Sequence, residues 1–195
     1  MTVEPEMLVA FDSEVTFPQS SGMLRRVAGP SFTVPAAETL TWFDPLDGEP
    51  SVVSQVAAGL LQTYATAVEW HHHAAPSGAA VGVGDPAAVA VWDTASPDDP
   101  LQSFSTDRGM GCLVLTRRQE EVAERLRDLP EAFAVLAAVR ESIVQPLDLD
   151  GQIVGVAFHC GMGASTNPVH VGRDASGLIV ALLADLELLT RSEIA

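Results

Sequence analysis

The fold is decided by Ile153-Val-Gly-Val-Ala-Phe158 and by two later segments, Val169-His-Val171 and Leu178-Ile-Val-Ala-Leu-Leu183. The first is almost continuously apolar, which is typical of a strand buried on both faces. The other two are separated by Gly172-Arg-Asp-Ala-Ser-Gly177, whose glycines accept the positive φ that hairpin turns need. The sequence therefore predicts a buried central strand, a glycine-rich crossing at Gly161–Ser165 and a terminal hairpin.

Earlier segments also favour strands. Glu38–Phe43, Ala88–Trp92 and Gly111–Leu115 are rich in β-branched, aromatic or apolar residues. Residues 52–70 fit both a helix of period 3.6 and strands, but Gly59 would weaken a helix. Two strands on either side of Gly59 are therefore predicted there.

A helical hairpin is predicted at about residues 116–145. Thr116-Arg-Arg-Gln119 has the form of a capping box, and an apolar stripe at spacings of three and four follows it. Pro130 is expected near the start of the second helix, and Pro146 is expected to end it. The stripe consists of Val122, Leu126, Leu129, Phe133, Leu136, Val139 and Ile143.

These elements predict an α+β fold. It is mainly an antiparallel β-sheet or sandwich, with the one helical hairpin inserted before the last three strands. Residues 1–29 carry weak patterns and are predicted to be a weakly ordered N-terminal segment. Residues 30–195 are predicted to be a single domain, which their length allows.

Composition excludes several classes of function. The 195 residues include ten arginines and no lysine, and the net charge is −16. Without lysine there is no complete P-loop, no Schiff-base enzyme and no lysine-dependent kinase. The negative charge opposes binding to nucleic acid and favours a basic protein as partner. The sequence is also compatible with a homo-oligomer.

No cofactor is predicted, and the protein is expected in the cytoplasm without a membrane association. No run approaches the roughly 20 apolar residues that span a bilayer. The acidic start of the chain is unlike a signal peptide.

Two cysteines and two histidines are candidates for nucleophilic catalysis. His159 and Cys160 are neighbours on a strand and point to opposite faces, so they cannot serve each other. Cys160 could instead pair with His170, or Cys112 with His159, across adjacent strands. Because free cysteine usually just packs, a structural role is the favoured interpretation of both.

Three further features are weak candidates for a site. Asp185 interrupts an apolar run, which indicates either a carboxylate satisfied at a bend or a member of a site. His71 and His73 share a strand face and could hold a metal, although no third ligand stands at a recognisable spacing. The loop with Gly161, Gly163 and Ser165 could form a ligand-binding nest of backbone amides.

Short motifs in the same order give a resemblance to a bacterial family known as domain of unknown function 4241. It covers roughly residues 30–189. The motifs are Trp42-Phe-Asp44-Pro45-Leu46, then Gly109-Met-Gly111-Cys112-Leu113, and finally Val154 to Leu189.

The resemblance is least complete in the glycine loop. Here Gly161-Met162-Gly163-Ala164 occupies the place of the family's Gly-Trp-Gly-Asp, so its Trp and Asp are replaced. Asn167-Pro168-Val169-His170 matches Tyr-Pro-Val-Tyr, and Asp185 matches the final Asp. The resemblance implies no reaction, and a loop that binds a polar ligand in relatives would be altered here.

The favoured hypothesis is a non-catalytic binding or interaction protein, for instance an accessory or immunity-type partner of a basic protein. The alternatives are a hydrolase with a Cys/His pair and a metal-binding module with His71 and His73.

Overall fold

The chain folds as two antiparallel sheets with helices on their outer faces, as seen in a computed structural model. All strand pairings among the described residues are antiparallel. The described residues are 4–17, 20–46, 50–71, 77–96, 98–99, 101–107, 109–160 and 164–186.

The larger sheet has the strand order β1-β2-β5-β6-β13-β12-β7, and β8 also pairs with β12. Its strands are β1 (Glu14–Phe17), β2 (Ser20–Val34), β5 (Gly59–Trp70), β6 (Ser77–Gly84), β7 (Val91–Asp93), β8 (Ser103–Thr106), β12 (Ser165–Arg173) and β13 (Ile179–Asp185).

The smaller sheet has the order β10-β11-β9-β3-β4. Its strands are β3 (Thr39–Phe43), β4 (Pro50–Gln55), β9 (Met110–Leu115), β10 (Val144–Leu149) and β11 (Gln152–His159). The helices are α1 (Pro5–Leu8), α2 (Gln119–Leu126) and α3 (Leu129–Ser142), with 3-10 turns at Pro86–Ala88 and Thr116–Arg118.

Period-two alternation divides the strands between an inner core and two outer cores. In β9, Leu113 and Leu115 face the space between the sheets, whereas Cys112 and Val114 face α2 and α3. Because β9 is covered on both faces, all six of its residues are buried, which explains its apolar sequence.

The larger sheet follows the same rule. Ala65 of β5 lies in the core between the sheets. Tyr64 and Val68 lie on the outer face with Leu8 of α1. The result is four layers in the order α1, larger sheet, smaller sheet, helical hairpin.

Three aromatic rings join the two sheets. Trp42 of β3 lies with its ring centroid 5.9 Å from Phe104 of β8 and 5.7 Å from Phe158 of β11. The Phe104 and Phe158 centroids are 5.9 Å apart at 88°. These are favourable stacked and edge-to-face geometries, and all three rings are fully buried.

The coarse sequence prediction, a mostly antiparallel β fold with a helical hairpin, is confirmed. β4 and β5 lie on either side of the 56–58 connection, and Gly59 has φ 138°. β9, β11 and the β12–β13 hairpin lie where the apolar runs place them. Pro130 lies in the first turn of α3, as expected from its preset φ.

The predicted end of the hairpin is wrong. α3 ends at Ser142 because Ile143 has φ 70°, and the chain then enters β10. Pro146 therefore lies inside β10, which is an edge strand where a missing N–H is tolerated. As a result four strands, β10 to β13, follow the helices rather than three.

The predicted capping box is also absent. The N-cap of α2 is Arg118, which makes no side-chain capping hydrogen bond. The Thr116 hydroxyl bonds the hydroxyls of Thr39 and Thr41, both at 2.8 Å. Thr116 thus connects the helical layer to β3.

Two other boundaries and one strand differ from the sequence prediction. The strand predicted at Ala88–Trp92 begins only at Val91, after the 3-10 turn, and β8 was not predicted. The boundary at residue 29 falls within β2, which pairs with β5 on both sides of it. Within the described residues, no helix is long and apolar enough to span a membrane.

Gly155 permits the close approach of β11 and β9. A Cβ at this position would lie 2.1 Å from the Leu113 carbonyl oxygen and 2.6 Å from the Val114 Cα, both backbone atoms. We expect Gly155→Ala to destabilise the protein by about 3 kcal/mol, in the upper range for overpacking. Denaturant unfolding measures this.

Gly151→Ala, in the β10–β11 turn, is the matched control. A Cβ there meets nothing within 4 Å, and only φ +78° opposes it. We expect a loss of about 1 kcal/mol. Equal losses at both positions would contradict the close approach.

Candidate functional site

Cys160 lies at the end of β11 in the core between the sheets, and its side chain is buried. Burial raises the pKa of its thiol far above the usual range, and the nearby Asp44 raises it further. A hydrogen bond with Thr106 and one from Gly111 act in the opposite direction. The thiol therefore stays protonated and shielded at neutral pH, which is the opposite of an activated nucleophile.

A buried polar network adjoins Cys160 through Thr106. The Thr106 hydroxyl bonds Ser165 Oγ at 2.9 Å, and the Asn167 amide donates to Ser165 Oγ at 3.2 Å and to the Phe104 carbonyl at 3.4 Å. The network joins β8 to β12 and satisfies groups that would be costly to bury unpaired. It accounts for Ser165 as a structural residue.

Asp44 is a buried carboxylate at the turn that follows β3. Its two carboxylate oxygens accept the backbone N–H groups of Leu46 and Asp107, each at 2.8 Å. The side chain is 3% exposed. Asp44 thus ties the turn after β3 to the end of β8, which explains why the Asp-Pro turn follows a buried strand.

Cys112 and His159 lie on the same face of the smaller sheet. Cys112 pairs with Ala157 and His159 pairs with Met110, so the two are diagonal neighbours on adjacent strands. Burial raises the pKa of the Cys112 thiol well above its usual value. Desolvation, with help from Arg140, lowers the pKa of His159. Both groups are therefore held neutral.

His170 lies on the other face of the larger sheet from Cys160. It pairs with Leu183, which belongs to the outer core. Its Nδ1 accepts the Ala95 N–H at 3.0 Å, so Nε2 carries the proton. Asp185, two positions after Leu183 on β13, points to the same face as His170. The structure thus brings His170 near Asp185 rather than near Cys160.

The remaining predicted site residues are only partly described. Gly161, Gly163 and His73 lie outside the described residues. His71 Nδ1 is 3.0 Å from the Ser21 hydroxyl. No group of three His, Cys, Asp or Glu side chains within the described ranges is placed to hold a metal.

An apolar cavity lies at one end of the sandwich, and we call it the end cavity. Its volume is about 330 Å³, the lower limit of typical ligand sites. Leu60 on its rim is 72% exposed. The lining includes Val56, Leu60, Leu61, Val83, Ile179 and Ala181, with Asp85 on the rim.

The two sides of the end cavity differ in charge. Beyond Leu60 lies a second cavity of about 480 Å³, lined in part by Arg117 and Arg118. On the other side, Asp85 begins a row of aspartates that we call the acidic edge. It consists of Asp85, Asp93, Asp98, Asp99 and Asp107.

The acidic edge follows β12. Asp93 lies on β7 and Asp107 follows β8, and both strands pair with β12, whereas Asp85 lies beside β13, to which its backbone N–H donates. Of these five aspartates, Asp93 forms an ion pair with Arg173 at 2.7 Å, and the other four form none with a described residue. The sequence holds no arginine or lysine between Arg26 and Arg108. This interval without basic residues is the sequence signal for the acidic edge. The end cavity corresponds to no local sequence pattern.

No protein-family model, no curated protein and no solved structure matches the chain. The resemblance to domain of unknown function 4241 thus stays a prediction from the motifs.

Both thiols are expected to be inert in the folded protein. A thiol-reactive chromogenic reagent at neutral pH should label neither Cys112 nor Cys160, because each is buried and its pKa is raised. In denaturant, both should react. Rapid labelling of one thiol in the native protein would contradict a structural role and favour the hydrolase hypothesis.

His170 should make stability depend on pH. Desolvation lowers its pKa to about 4, from 6.5. The unfolded chain therefore binds more protons between these values, so this contribution is complete above pH 6.5 and is lost as the pH falls toward 4. The difference corresponds to roughly 3 kcal/mol.

His170→Asn isolates this effect, because asparagine can accept the Ala95 N–H and does not titrate. Urea unfolding at several pH values should show a shallower acid loss for the variant than for the wild type. The carboxylates titrate in both proteins and affect both stability curves in the same way. If stability fell with pH in parallel for the two proteins, His170 would not be buried as a neutral group.

Proposed function

We propose that this protein is a non-catalytic interaction protein that binds a basic partner protein at the end cavity and the adjoining acidic edge. The observation that carries the proposal is the meeting of the two surfaces at Asp85, which lies on the cavity rim and begins the row of aspartates. An exposed apolar cavity beside exposed carboxylates fits an apolar side chain flanked by lysine or arginine.

The charges around the cavity support one orientation of that partner. Cations would lie over Asp85 and Asp98 and would avoid Arg117 and Arg118 beyond Leu60. Burying one leucine-sized side chain contributes about 2 kcal/mol. The carboxylates add association rate and selectivity more than affinity.

The buried chemistry supports a non-catalytic role. Cys160 and His170 lie on opposite faces of the larger sheet, and Cys112 and His159 are both held neutral. Their neighbours are packed side chains and structural hydrogen bonds. These observations favour binding over the Cys/His hydrolase.

A labelled peptide with one leucine between lysines tests the proposal by fluorescence anisotropy at low salt. We expect binding that weakens as salt is added. The peptide with glutamates in place of the lysines should not bind. Asp98→Arg should weaken binding about fivefold, and Leu60→Ser about tenfold.

Matched variants separate the site from general charge. Glu124→Arg changes the net charge equally but lies at an exposed position of α2, and Leu129→Ser removes an exposed apolar side chain from the helical layer. Both should bind as the wild type does. No binding at low salt would contradict the proposal, as would equal effects of Glu124→Arg and Asp98→Arg.

A further inference from the structure

α3 is apolar on two faces. Its inner face packs on the smaller sheet through the buried Val139 and the partly buried Val135 and Leu136. The opposite side exposes Phe133, 62% accessible, and Leu129, 55% accessible. The predicted stripe thus does not lie on one face, because the turn between the helices directs these two side chains outward. A helix that is apolar on two faces is normally covered on both of them.

The exposed side of α3 has a self-complementary spacing. Pro130, Phe133, Ala137 and Arg140 are all exposed and follow one another at intervals of three, four and three residues. This is the seam along which helices pair at a shallow angle. In an antiparallel pair centred on residue 135, Phe133 packs against the partner subunit's Ala137, a large side chain against a small one.

Charges at the two ends of α3 fit the same pairing. Arg127 and Asp128 precede the helix, and Arg140 and Glu141 end it. Among the described residues, none of these four forms an ion pair. An antiparallel partner brings each arginine to an acid of the other subunit, whereas a parallel partner opposes like charges.

We propose that a second copy of this chain covers the outer face of α3, in a two-fold dimer with antiparallel helices. The large-to-small contacts and the opposite charges pair under the same two-fold symmetry. An isologous interface requires such self-complementarity. The end cavity and the acidic edge lie outside this face, so the dimer would present two copies of the proposed binding site. The inference does not depend on that function.

The dimer is expected to be weak and reversible. A 14-residue helix is about 21 Å long, so one helix pair covers less than the roughly 800 Å² per partner of a standard interface. We expect a dissociation constant in the micromolar range. Sedimentation velocity over a concentration series should show conversion from monomer to dimer.

Phe133→Glu should make the protein monomeric across that series. Leu101→Glu is the matched control, because Leu101 is 82% exposed in a turn outside the helical layer and the change in charge is identical. Since both side chains are exposed, circular dichroism should show native folds. A monomeric wild type at every concentration, or an unaltered dimer of Phe133→Glu, would overturn the proposal.

A charge exchange tests the antiparallel arrangement. Glu141→Arg places an arginine against the partner subunit's Arg127 and should weaken the dimer at least fivefold, about 1 kcal/mol. Arg127→Glu combined with Glu141→Arg should restore it. Both side chains are exposed and both changes suit the dipole of α3, and circular dichroism should show the native fold for each variant. If the double variant dimerises no better than Glu141→Arg, this pairing is wrong.

Discussion

The contact among Trp42, Phe104 and Phe158 is the constraint on which the rest of the structure depends. The rings come from β3, β8 and β11, so one cluster fixes the separation of the two sheets. Gly111 lies beside it, where a Cβ would be 2.7 Å from the Phe158 ring and 2.9 Å from Cys160 Sγ. This packing leaves Cys160 no access to solvent, and it explains why the residues most suggestive of catalysis are part of the core.

Much of the fold could be predicted because its strands carry local patterns. β9 is buried along its whole length and β11 is buried from Val154 to Phe158, so these stretches are apolar. Gly59 separates two strands that residue propensities alone leave ambiguous. The end of α3 could not be predicted in the same way. Ile143 adopts a positive φ that an isolated isoleucine avoids, and its buried side chain holds it there.

The candidate site was less predictable because it depends on faces and registers. Sequence places His170 and Cys160 near each other, but whether they meet is decided by which face of the larger sheet each occupies. The end cavity is formed by residues from β5, β6 and β13, together with the connection after β4, whose chain positions are far apart. Only the long interval without a basic residue, from Arg26 to Arg108, is evident in the sequence itself.

The layered arrangement also separates charge. Residues 116–143 of the helical layer hold five arginines and six acids, whereas the rest of the described chain holds three arginines and sixteen acids. The molecule therefore has a strong permanent dipole, with its negative pole in the sheets. Near a cationic surface, the electric field rotates the protein before contact, so that the sheets face the surface and the helical layer points away from it. Diffusion thus delivers the protein already oriented, and collisions led by the helices are disfavoured.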